Sequence, residues 1–179
     1  DRVLATANDI YYRMDFLKND MKLDKGIQRI CENPSDESLL DRFETSLRQS
    51  MRIHPLRTMD DVLQNIKSIA QINDTDIRGA MYTMVADSVD REIPNNTNLS
   101  VEHKSDMLMK FVNKCLKAEN DEGVKETFAL SAIYAMRRSM VDENGALVVA
   151  EDKENQAFAA LKKLAETAGK RFELQDTLT

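Results

Sequence analysis

Five Gly and three Pro punctuate 179 residues. That scarcity constrains the fold more than any motif in the chain. A sheet protein needs a turn every few residues, and Gly and Pro supply the backbone conformations those turns demand. Helices need them only at their ends. With 42% hydrophobic residues the chain can bury a core, and its length suits one domain or two small ones. The reading is therefore all-α. Collagen-like, disulfide-framework and wholly disordered classes are excluded.

Apolar spacing places the helices. Val3, Ala7, Ile10, Met14, Leu17 and Met21 alternate by four and three, which predicts a helix over about 2–23. Gly26 loosens the chain there. Ile27, Ile30 and Cys31 then suggest a turn or two before Asn33-Pro34. Ser35 or Asp36 can cap the next helix, which carries Leu39, Leu40, Phe43, Leu47 and Met51 and ends at His54-Pro55. Thr58-Met59-Asp60-Asp61 reads as a capping-box start for a helix burying Met59, Val62, Leu63, Ile66 and Ala70. Asn73-Asp74-Thr75-Asp76 is a further break and cap, followed by Ile77, Met81, Met84, Val85 and Val89 on one side.

Residues 94–99 are the most loop-like stretch. Ser100 caps a helix to about Lys117, with Val101, Leu108, Phe111, Val112 and Cys115 inward. After the acidic turn from Glu119 to Gly123, a helix over about 122–140 carries Val124, Phe128, Ala132, Ile133 and Met136. Asn144-Gly145 is a hairpin signal between two short apolar runs. Asp152 can cap a last helix through Ala157, Phe158, Leu161, Leu164, Ala165 and Ala168, with Gly169 at its natural stop. The expectation is a bundle of about seven antiparallel-leaning helices with at most one short β-hairpin near Asn144-Gly145. It spans 1–179 as a single domain excised from a larger protein, with sub-lobes 1–93 and 100–179 and a hinge at 94–99.

The formal charge of −6 and pI near 5.1 argue against a general attraction to nucleic acid or anionic membrane. Two cysteines, Cys31 and Cys115, cannot build a disulfide framework, and both read as reduced, buried thiols. The longest apolar stretch, Ala146 to Ala150, falls far short of the roughly 20 residues that span a bilayer. No signal peptide is evident. These features together suit an intracellular, cytoplasmic setting with no membrane partner.

Chemistry is hard to place on this chain. The soft metal ligands are Cys31, His54, His103 and Cys115, none at a zinc-binding spacing. His103 and Cys115 sit twelve positions apart on one predicted helix, roughly 18 Å at 1.5 Å per residue. Asp74 to Gly79 starts like a calcium loop, but Arg78 takes the fifth place and Val85 the twelfth, where a bidentate Glu is required. There is no nucleophile elbow and no phosphate loop. Paired acids such as Asp60-Asp61 and Asp142-Glu143 fall at turns and helix starts, where capping accounts for them. The sequons at Asn73, Asn95 and Asn98 read as loop and cap chemistry as well. No catalytic residue, metal or cofactor is assigned.

Binding surfaces offer more. No acid occurs between Glu44 and Asp60, while Arg48, Arg52, His54 and Arg57 accumulate. Arg48 and Arg52 share a helix face. The cluster either complements a helix C-terminus or binds an anion such as phosphate, carboxylate or an RNA backbone. Arg137-Arg138 invites the same two readings, and no aromatics interleave the 48–57 patch for base stacking.

The ten methionines either fill an irregular core or line an adaptable groove for a partner helix. Met81, Met84, Met107 and Met109 are the candidates for such a groove. Around Leu108, at least one of Met107 and Met109 must face away from the core. The leading functional expectation is an adaptor-like helical module binding another protein through a Met-rich groove or helix face. The first alternative is a nucleic-acid- or phosphate-binding domain using Arg48, Arg52, His54 and Arg57. The second is a small all-α enzyme.

Overall fold

The computed structural model describes residues 23–93, 99–139, 144, 159, 163 and 166. Among the described residues there are six helices and no strand. They are α1 (Leu23–Glu32), α2 (Glu37–Ile53), α3 (Pro55–Ala70), α4 (Thr75–Glu92), α5 (Val101–Ala118) and α6 (Glu122–Ser139). The all-α class is thus as the composition implies, with these six helices among the described residues and residues 159, 163 and 166 helical as well. The expected helix over 2–23 and most of the hairpin near Asn144-Gly145 lie outside the described residues. So does most of the last expected helix.

The chain divides into two compact units between Asn73 and Asp74. That boundary differs from the hinge suggested at 94–99: α4 and α5, which flank those residues, pack within the same unit. Residues 94–98 themselves lie outside the described set.

In the first unit α1, α2 and α3 pack against one another pairwise. Leu23, Ile27 and Ile30 of α1 recur at four and three, so they form one stripe and all three are buried. Cys31 stands one position past Ile30, about 100° around the helix. It is exposed, which corrects the expectation of a buried thiol, and its Sγ lies 3.8 Å from the Ser68 carbonyl oxygen. Gly26, read as a break, is inside α1. Phe43, Leu47 and Met51 of α2 meet Met59, Val62, Ile66 and Ile69 of α3 as the buried residues of their helices. Each fully buried aliphatic side chain contributes about 1.5–3 kcal/mol relative to leaving it in water.

In the second unit α4 packs on α6 and α5, and α5 on α6. Two neighbours require more than one apolar stripe. Accordingly α4 buries Met81, Tyr82, Met84, Val85, Ala86, Ser88 and Val89. Leu108, Phe111, Val112 and Cys115 of α5 and Phe128, Ala132, Ile133 and Met136 of α6 complete the core. Burial pushes the Cys115 thiol well above its ordinary range, so it behaves as an apolar group.

Helix starts are capped where short polar residues stand in sequence. Asp36 accepts from the Ser38 N–H, Asp74 from the N–H groups of Asp76 and Ile77, and Ser100 from the His103 N–H. Asp74 of the incomplete calcium loop therefore acts as the cap, and Asp76 places an acid in the first turn of α4. Lys104, nearly buried, donates from Nζ to the carbonyls of Asp90 and Ile93, closing the C-terminal end of α4 with a side chain from α5. Burial pulls its pKa below the usual lysine range.

Gly79 interrupts α4 without any steric need. A Cβ built there meets nothing within 4 Å. Helical Gly costs roughly 0.5–1 kcal/mol relative to Ala. Gly79→Ala is accordingly expected to raise unfolding free energy by about that amount, read from the urea midpoint. A loss of stability would show that something approaches α4 at this point.

Candidate interaction surface

The α2–α3 junction has one residue between its helices, His54. Its N–H donates to the Ser50 carbonyl at 2.7 Å, finishing α2. Its carbonyl accepts both the N–H of Thr58 at 2.9 Å and the Thr58 hydroxyl at 2.7 Å, starting α3. Pro55 occupies the first helical position, where its missing N–H is no loss and its fixed φ suits the helix. The predicted start at Thr58 is therefore a correction. Proline opens α3 rather than standing before it, and Thr58 is an interior residue, buried, with its hydroxyl bonded one turn back.

This junction holds two large apolar side chains out of the core. Ile53 is 54% exposed and Leu56 is 50% exposed. The helical repeat explains why: at 100° per residue, Ile53 lies about 100° from the centre of the buried stripe of α2, and Leu56 about 110° from that of α3. Both helix ends are fixed by the bonds through His54, so neither side chain can turn inward without unwinding a helix.

Residues 52–57 also hold two arginines and a histidine. Arg52, His54 and Arg57 are exposed around the junction. Arg48, one turn earlier, is half-buried and donates to Glu44 at 3.1 Å, an i,i+4 pair on α2. Arg48 is thus held along α2 by Glu44, while Arg52, His54 and Arg57 stand exposed at the corner. Arg52 in the last turn of α2 complements that helix's dipole. Arg57 does the reverse. It stands in the first turn of α3, which contains no acid and whose N-cap makes no side-chain hydrogen bond. A cation beside the positive end of a helix is unfavourable until an anion arrives.

The methionine groove is largely absorbed by the core. Met81 and Met84 are buried in α4, as are Met51, Met59 and Met136 in their helices. Met107 and Met109 are half-buried on either side of the buried Leu108. The thioethers of Met51, Met59, Met81, Met84 and Met136 therefore fill core space between packed helices.

One polar constellation went unseen in the sequence. Arg78 of α4 grips Glu119, in the turn between α5 and α6, through Nε and one terminal nitrogen at 2.9–3.2 Å. The Tyr82 hydroxyl donates to the same carboxylate at 2.9 Å, and the Asp121 N–H at 3.1 Å. The Glu119 side chain is 2% exposed. Burial opposes its ionisation, but the bonds from Arg78, the Asp121 N–H and Tyr82 outweigh it and hold the carboxyl below the usual range. Tyr82 is pushed far up by burial and by donating to that carboxylate. Glu119 is fully committed to these partners, so the cluster is structural: it ties the α5–α6 turn to α4. Asp121, next in that turn, caps α6 by accepting the Val124 N–H at 3.0 Å.

Among the described residues, no three His, Cys, Asp or Glu side chains cluster in a way that could hold a metal ion. Among them, too, no helix is long and apolar enough to cross a membrane. Arg138, exposed near the end of α6, pairs with Asp90 and Asp87 of α4 and so links two helices; the Arg137 side chain lies outside the described residues. Comparison with known proteins identifies no relative: no family, no curated protein and no solved structure matches this chain.

Proposed function

We propose that this chain is a helical protein–protein interaction module whose docking surface is the α2–α3 corner. The observation that carries the reading is the exposure of Ile53 and Leu56, about half of each, on a junction with a single linking residue. Exposed single apolar residues are ordinary on protein surfaces. Two within four positions, flanked by Arg52 and Arg57 and fixed by hydrogen bonds on both sides, form a small preorganised anchor. Rigidity matters here because a partner then loses no loop entropy on this side of the interface.

This reading moves the docking surface away from the methionine face, since Met81 and Met84 are occupied in packing. Exposure of Arg52, His54 and Arg57 favours the phosphate or nucleic-acid alternative as a second reading. Two aliphatic side chains among those polar ones and the absence of a stacking aromatic weigh against it.

Site-directed photocrosslinking in the cells that express the protein tests the proposal. A photoreactive residue at position 56 is expected to trap a discrete protein partner, and one at position 107 to trap none. Capture should fall at least tenfold when Ile53 and Leu56 are both changed to Ser, while circular dichroism stays that of the wild type. Equal crosslinking from both positions would reject the corner, and RNA in the position-56 adduct would favour the second reading.

A further inference from the structure

We draw no further inference here: the strongest candidate, the surface patch of Ile53 and Leu56 at the α2–α3 corner, already carries the proposed docking surface, and nothing in the structure shows what covers it.

Discussion

Replacing Glu119 with Ala is expected to lower the unfolding free energy by about 3–5 kcal/mol. The carboxylate is almost fully buried and accepts from Arg78, Tyr82 and the Asp121 N–H. Its removal takes from a guanidinium that is only 13% exposed the carboxylate that grips it, and leaves two further donors without that acceptor. The penalty belongs to the group left behind rather than to the attraction lost. It follows that Arg78→Met combined with Glu119→Gln should cost less than Glu119→Ala alone, because no charge is stranded and the amide oxygen still accepts from Tyr82 or Asp121. Urea unfolding of Glu119→Ala, the double variant and its two single components decides the matter. If the double variant costs the sum of its two single changes, the pair is not coupled and this account is wrong.

The same carboxylate sets an acid limb. Its folded pKa is lowered, so over the interval between the folded and unfolded values the unfolded chain binds the extra proton. Its stabilising contribution is therefore complete above the unfolded value, about pH 4.3 for Glu, and disappears as pH falls through the folded one. Wild-type stability should drop more steeply below pH 4.3 than that of Glu119→Gln, which lacks the titrating group. Parallel curves for the two proteins would remove Glu119 from the acid response.

Local signals were legible in the sequence and distant ones were not. Asp36, Asp74 and Ser100 could be read as caps because a cap and the N–H groups it accepts from lie within three residues. Phe43, Leu47 and Met51 could be read as core because helical period alone assigns them a face. Glu119 could not be read, since its partners Arg78 and Tyr82 are 41 and 37 positions away. From sequence it was one acid of a polar turn. The basic cluster between 48 and 57 was visible as composition. What turned part of it into a surface was the single-residue junction, which depends on Pro55 opening α3 instead of preceding it. A proline is compatible with either role, and only the hydrogen bonds to His54 distinguish them. Ile53 and Leu56 then follow from phase. Each lies off its stripe by about one residue's rotation, a displacement that cannot be measured until the helix boundaries are fixed.

Phe128→Ala is expected to cost about 3–5 kcal/mol, the second large effect. The Phe128 ring is 1% exposed and joins three helices: its centroid lies 5.3 Å from that of Tyr82 on α4 and 5.9 Å from that of Phe111 on α5. The contact with Phe111 is edge-to-face at 84°, an arrangement that the ring quadrupoles favour by about 0.5–1.5 kcal/mol beyond the area buried. Truncation removes both ring contacts and leaves a cavity that Val124 and Ala132, one turn away on either side, cannot fill because the helix backbone fixes their positions. Tyr134 supplies the control on the same helix. It stands six residues on, about 120° around α6, and is 46% exposed. Tyr134→Ala should therefore change stability by no more than about 0.5 kcal/mol. Phe128→Leu, which keeps most of the volume but neither ring contact, should fall between the two. Measured by urea unfolding, that order separates a packed aromatic junction from a merely apolar helix. If Phe128→Ala and Tyr134→Ala cost the same, α6 does not meet α4 and α5 through this ring.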